Sequence, residues 1–216
     1  MLHIQKNEEP QAVSRWKSKF KNLKKRYPHY EDLEDQVKTI LKKALIEEQR
    51  GICCYCCSHI LQETSHIEHF KPQKGQGQKY AGQSLEYNNL HASCQGGWGN
   101  KKHCGHAKKG NFDEELMISP LEPDCAQYFA FQANGHILPV DDDARARYTI
   151  DILNLDDRSL TLAREAALWA AGVFDDISPE EREKLIQKFD GSDGKQLQPY
   201  CDAILYHLRK GLESEI

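Results

Sequence analysis

Apolar positions recur at helical spacing along residues 31–50, where Leu33, Val37, Ile40, Leu41, Ala44 and Leu45 form one stripe. Glu31 and Asp32 suit the first turn of such a helix, Lys42 and Lys43 come late, and Gly51 suits its end. Upstream, residues 15–26 hold seven Lys or Arg among twelve positions, with Trp16, Phe20 and Leu23 interspersed and Pro28 as a stop. Two readings of this stretch stand together. One is a phosphate-tracking arm with aromatics for stacking; the other is a solvated helix face with Trp16, Phe20 and Leu23 packed inward.

The middle of the chain has shorter periods. Residues 59–70 alternate well enough to predict a β-hairpin, and residues 84–90 suggest one capped helical turn. Between them, residues 71–84 are rich in Lys, Gln and Gly and read as a mobile loop. Gly96, Gly97, Trp98 and Gly99 suggest an excursion before a short helix that opens at Cys104.

Further on, Asn134-Gly135 between residues 128–132 and 136–140 is a hairpin signal. Residues 144–154, 157–171, 178–189 and 198–210 read as helices, with Leu160, Ala163, Ala167 and Leu168 as core. Ser178-Pro179-Glu180-Glu181 opens the third of them as a capping box with Pro at the first helical position.

Composition narrows the class. The 216 residues are 39% hydrophobic and 29% charged, enough for a globular core. There is no run of about 18 apolar residues, so no membrane span is expected. The first residues lack a signal-peptide apolar core, so a cytoplasmic location is expected. There, eight cysteines point to metal ligation rather than disulfides. The net charge of −4 hides a split: residues 1–110 carry 19 Lys/Arg against 11 Asp/Glu (+8), and the remainder 10 against 22 (−12). That split suggests a polyanion-facing front and a partner-facing back. Repeats and phosphate-binding glycine loops are absent from the sequence, so ATP hydrolysis is not expected of this chain.

Candidate chemistry gathers between residues 53 and 109. In Cys53-Cys54-Tyr55-Cys56-Cys57, either Cys53/Cys56 or Cys54/Cys57 gives the C-x-x-C spacing that lets two thiolates grip one tetrahedral metal. Cys94 and Cys104 offer a second half-site. Between the half-sites lies Ser65-His66-Ile67-Glu68-His69-Phe70-Lys71-Pro72, in which Glu68 is a hard oxygen ligand and His69 a proton acceptor near neutral pH. His66 shares a strand face with Glu68, as a metal ligand or as a hydrogen-bonding neighbour of the site.

The order Cys-x-x-Cys, Ile-Glu-His-Phe-x-Pro, Asn-Leu-x-x-Ser-Cys, Cys-Gly-His-x-Lys resembles the HNH endonucleases with a ββα-metal core. More narrowly, it resembles the PtuB-type HNH effectors of Septu and retron-associated anti-phage defence systems. The likeness covers residues 40 to about 165, including Asp124-Cys125-Ala126-Gln127-Tyr128-Phe129 and the run from Thr149 to Leu155.

The resemblance implies an α+β fold, mostly helical around a zinc-stabilised ββα-metal core. It divides the chain into a basic helical segment (1–50), the nuclease core (51–115) and an acidic hairpin-plus-helix region (116–216). His69 would be the general base, and Glu68 and His106 the ligands of a catalytic Mg²⁺ or Mn²⁺. Asn89 would steady the loop and orient the base, and Cys53, Cys56, Cys94 and Cys104 would hold one structural Zn²⁺. Lys71, Lys108 and Lys109 would fix substrate phosphates. The implied partners are a nucleic-acid substrate and an SMC/ABC-like (PtuA-type) ATPase, joined in retron systems by a reverse transcriptase and its msDNA. The alternative is a zinc-dependent nucleic-acid-binding module or scaffold subunit without catalysis, which needs neither Glu68 nor His69.

Overall fold

The computed structural model describes residues 1–74, 79–97, 102–192 and 194–213. Within them the chain is α+β, with seven α-helices and two two-stranded antiparallel sheets. Helix α1 (Gln11–Lys24) buries Val13 and Trp16 and ends at Lys25, whose left-handed backbone stops it before Pro28. Trp16 also donates from Nε1 to Glu34 Oε1 at 3.0 Å, which ties its indole to the neighbouring segment. Leu23 is 68% exposed, so the inward packing expected of it does not occur. Helix α2 (Asp35–Glu48) is shorter than its apolar pattern. A 3₁₀ turn at Tyr30–Asp32 precedes it, and extended backbone at Leu33 separates the two. Val37, Leu41 and Leu45 form its buried stripe, while Ile40 lies at its edge.

Strand β1 (Ser65–His69) pairs antiparallel with β2 (Leu90–Cys94), in the register Ser65 with Cys94, Glu68 with His91 and His69 with Leu90. The hairpin expected over 59–70 is not formed. His59 bridges Ile52 instead, and residues 61–65 close a turn. In that turn the Leu61 amide donates to Thr64 Oγ1 at 2.9 Å, and the Ser65 hydroxyl donates to the Leu61 carbonyl at 2.6 Å. Hydroxyl-to-backbone bonds of this kind compete with strand pairing.

The turn before β2 is a 3₁₀ turn, Tyr87–Asn89. Of the loop expected at 71–84, residues 75–78 lie outside the described residues, as do Trp98 and Gly99 of the glycine-rich excursion. The rest of that loop is anchored by Tyr80, which is buried with its ring edge-on to Phe112. Helix α3 (Gly105–Lys108) is a single turn after Cys104.

Strands β3 (Phe129–Phe131) and β4 (Ile137–Pro139) flank the Asn134-Gly135 turn. Gly135 has φ +80°, and a side chain there would collide with the Thr161 carbonyl. Helix α4 (Ala144–Leu153) is capped by Asp143, and α5 (Arg158–Ala170) by Asp157. Helix α6 (Pro179–Phe189) carries the reciprocal Ser178/Glu181 capping box. Helix α7 (Cys201–Glu213) buries Ala203, Ile204, Leu205 and Leu208.

The apolar core runs through all three segments of the sequence. Tyr200 donates its amide to the Cys57 carbonyl, and the Met1 ammonium pairs with Asp202 in the interior at 2.5 Å. Helix α7 is therefore core rather than a detachable surface layer. No described helix is long and apolar enough to cross a membrane.

Candidate functional site

Four sulfurs converge where the knuckle after α2 meets the end of β2 and the start of α3. The Sγ atoms of Cys53, Cys56, Cys94 and Cys104 all lie within 4.8 Å of one another, and all four residues are buried. The Cys56–Cys94 sulfur separation is 3.8 Å. A zinc ion with Zn–S bonds of about 2.3 Å at a tetrahedron's centre requires an S–S edge of about 3.8 Å, so the set fits such an ion. Burial, then the neighbouring Cys53, pushes the Cys104 thiol well above its ordinary value. Packed thiols of this kind yield their protons to a bound cation.

The structure also resolves which C-x-x-C pair belongs to the cluster. The Cys54 amide donates to the Ala92 carbonyl, while Cys57 turns away at φ +56° and meets Cys201. Cys53 and Cys56 are left on the inner side. His103 was not singled out by sequence, yet its Nδ1 lies 3.3 Å from Cys104 Sγ and 3.8 Å from Cys94 Sγ. Its direct adjacency to Cys104 was the available signal.

Beside this cluster, β1 and α3 assemble a second group. Glu68 is buried, and its Oε1 accepts from the Lys108 ammonium at 2.9 Å and from the Tyr55 hydroxyl at 3.2 Å. Its Oε2 faces His66 Nε2 at 3.5 Å. The His66 ring in turn lies 4.4 Å, centroid to centroid, from that of His106. Gly105 makes this approach possible, because a Cβ there would strike Glu68 Oε2 and come within 2.7 Å of His66 Nε2. Burial opposes ionisation of Glu68, but His66 and Lys108 together outweigh it and hold the carboxyl below its ordinary value. Burial pushes the Tyr55 hydroxyl well up, so it serves as a donor to that carboxylate. His106 is half-exposed, with Nε2 at 2.9 Å from Gln95 Oε1. It lines an open cleft of about 730 Å³ shared with Lys102, His103, His59 and Tyr200.

His69 ends β1, and alternation along the strand sends its ring to the face opposite Glu68. Its Nε2 lies 2.9 Å from the Ser84 carbonyl, which requires a proton on that nitrogen. In that tautomer Nδ1 keeps the lone pair, and Gln73 Nε2 lies against both ring nitrogens, 2.6 Å from Nε2 and 2.9 Å from Nδ1. Tyr30 packs edge-on against the ring at 4.6 Å. Burial lowers the imidazole to about 4, although the Ser84 carbonyl and the Glu68 charge favour the protonated form.

Asn89 lies behind this strand end. Its side chain bonds both backbone groups of Lys71, and its carbonyl accepts from the Phe70 amide.

The three lysines expected to contact phosphates sit differently from one another. Lys109 is exposed. Lys71 is part-exposed and paired with Glu114 at 2.6 Å. Lys108 is 1% exposed, and its ammonium points inward to Glu68 and to the carbonyls of His69 and Phe70. A phosphate outside cannot reach those donors, so Lys108 is reassigned to the interior. Among the described residues the four cysteines are the group of ligand side chains that converges as a metal cage; Glu68 and His106 do not form another with a third residue. Tyr55, Gln73 and His91 also border the site and were not read from sequence, each being an ordinary residue until its neighbours are known.

Compared with known proteins, the chain matches no family model, and no curated protein is a significant match.

Proposed function

We propose that this protein is a metal-dependent endonuclease of the HNH type that hydrolyses nucleic-acid phosphodiester bonds. The observation that carries the reading is the Glu68–His69 step. One residue is an ionised carboxylate with Oε2 turned to His66 beside His106, and the next is a neutral imidazole with its lone pair on Nδ1. The antiparallel β1–β2 pair followed by α3 supports it, as does the four-cysteine cluster at their base.

In this reading Cys53, Cys56, Cys94 and Cys104 would hold a Zn²⁺ that replaces core so small a unit cannot build. Glu68 and His106 would hold a Mg²⁺ or Mn²⁺, and that ion would supply charge stabilisation for the phosphate and the leaving 3′-oxygen. His69 Nδ1 takes the proton of the attacking water once Gln73 gives way. The ring is neutral at physiological pH and so able to accept. An anionic phosphate beside it raises its basicity, because an opposite charge favours imidazolium. The Ser84 carbonyl and Tyr30 fix the ring's orientation. Lys71 and Lys109 are left to meet the backbone of the nucleic acid.

The resemblance to anti-phage HNH effectors adds a role in defence and control by an SMC-like ATPase, with the acidic half of the chain as the docking side. The deciding experiment incubates the zinc-loaded protein, alone and with that ATPase, with duplex DNA, single-stranded DNA and tRNA in Mg²⁺ or Mn²⁺. Metal-dependent cleavage lost in His69→Ala supports the reading. Binding without cleavage under every condition returns the chain to the binding-module alternative.

A further inference from the structure

Lys108 is the last residue of α3 and one of the most deeply buried side chains in the molecule. An ammonium has three donors and no acceptor. All three are used: Glu68 Oε1 at 2.9 Å, the His69 carbonyl at 2.8 Å and the Phe70 carbonyl at 3.2 Å. A charge removed from water is tolerated when it is paired and fully hydrogen-bonded, and this one is. Its partners are not scattered through the core. They are the carboxylate and two consecutive carbonyls of the Glu68-His69-Phe70 run.

Tyr55 adds a second donor to the same carboxylate oxygen at 3.2 Å, from a ring with no solvent exposure. With Oε1 occupied twice, Oε2 is the oxygen presented to His66, and Gly105 leaves the space for it.

We propose that Lys108 and Tyr55 are positioning residues: together they fix the orientation of the Glu68 carboxylate, so that its other oxygen is held toward His66, which packs on His106, and Lys108 fixes the main chain that carries His69. This rests on the nuclease reading above. Neither residue touches substrate. Lys108 acts through Glu68 and the His69 backbone, Tyr55 through Glu68 alone.

The test compares Lys108→Met and Tyr55→Phe with the parent, each checked for zinc content and unfolding midpoint. Binding of Mn²⁺ alone is followed by electron paramagnetic resonance. Cleavage is measured at saturating Mn²⁺ on whichever nucleic acid the parent cuts. Lys108→Met is expected to lower kcat roughly 10–100-fold with KM for the nucleic acid unchanged, since misplacement, not binding, is what it causes. Tyr55→Phe changes no charge, and is expected to weaken Mn²⁺ binding by about three- to tenfold with a smaller loss of kcat.

If Lys108→Met does not fold or loses zinc, Tyr55→Phe alone decides. A folded, zinc-loaded Lys108→Met with the parent's kcat, or with a raised KM and unchanged kcat, overturns the proposal. So does a Tyr55→Phe protein with unaltered Mn²⁺ affinity. A parent that neither binds Mn²⁺ nor cuts DNA or RNA overturns the nuclease reading itself and takes this proposal with it.

Discussion

The side chain of Asn89 closes on the backbone of Lys71 from both sides. Oδ1 accepts the Lys71 amide at 2.7 Å, and Nδ2 donates to the Lys71 carbonyl at 3.0 Å. The same amide group reaches the Gln83 carbonyl at 3.1 Å, next to the Ser84 carbonyl that holds His69. One buried side chain thus joins the exit of β1 to the turn before β2. Asn89→Ala should lower stability by about 2–3 kcal/mol, the cost of leaving buried backbone groups unpaired. Urea unfolding should show a lower midpoint at an unchanged slope. A shift within a few tenths of a kcal/mol would mean the clamp is replaced by water at no loss.

His69→Ala should leave the fold and metal content intact and reduce cleavage by roughly 10²–10⁴-fold, the usual contribution of a general base. Because burial depresses this imidazole to about 4, it is neutral through pH 5. The acid limb of kcat/KM should accordingly lie well below the 6.5 of an ordinary histidine. An acid limb near 6.5 that survives in other active-site variants would place the base elsewhere.

The sulfur cluster makes a prediction that distinguishes neighbours. Cys94→Ser and Cys104→Ser should lose the metal and destabilise the protein, since the binding free energy of a structural site is folding free energy. Cys54→Ser and Cys57→Ser should keep about one zinc per chain, as both side chains lie outside the tetrahedral set. Elemental analysis of the four variants checks this, and zinc loss from Cys54→Ser would reverse the assignment.

Acid should destabilise the fold through the histidines whose values burial lowers, and most of all through two of them. Burial lowers His69 to about 4 and His91 to about 3. His91 is fully buried, and neither ring nitrogen has a hydrogen-bond partner among the described residues. With folded values below the unfolded one, the unfolded chain takes up protons first as pH falls. Stability is therefore full above about 6.5 and declines toward pH 3–4, by an amount on the order of a few kcal/mol. His91→Leu should flatten that decline while leaving stability at pH 7.5 similar or higher. An equally steep decline in the variant would show that His91 does not carry the loss and assign it to other groups.

What was legible in the sequence is what depends on near neighbours. The Ser178/Glu181 capping box, the turn at Gly135 and the Val37–Leu41–Leu45 stripe each need only a few adjacent residues, and each stands in the structure. Spacing along the chain showed two C-x-x-C pairs and a second half-site at Cys94 and Cys104, while the particular set of four came only as what the resemblance implied.

Tertiary structure decided the remainder. β1 pairs with β2 rather than with the residues just before it, because hydroxyl bonds at Thr64 and Ser65 turn that stretch aside. Cys53 and Cys56, not Cys54 and Cys57, face Cys94 and Cys104, a choice made by backbone bonds to Ala92 and Tyr200 from distant elements. Lys108 has the composition of a surface lysine. It became an interior counter-ion because folding a one-turn helix onto β1 brought a carboxylate and two carbonyls to its ammonium. Burial and long-range partners exist only once distant segments meet, so no local pattern records them.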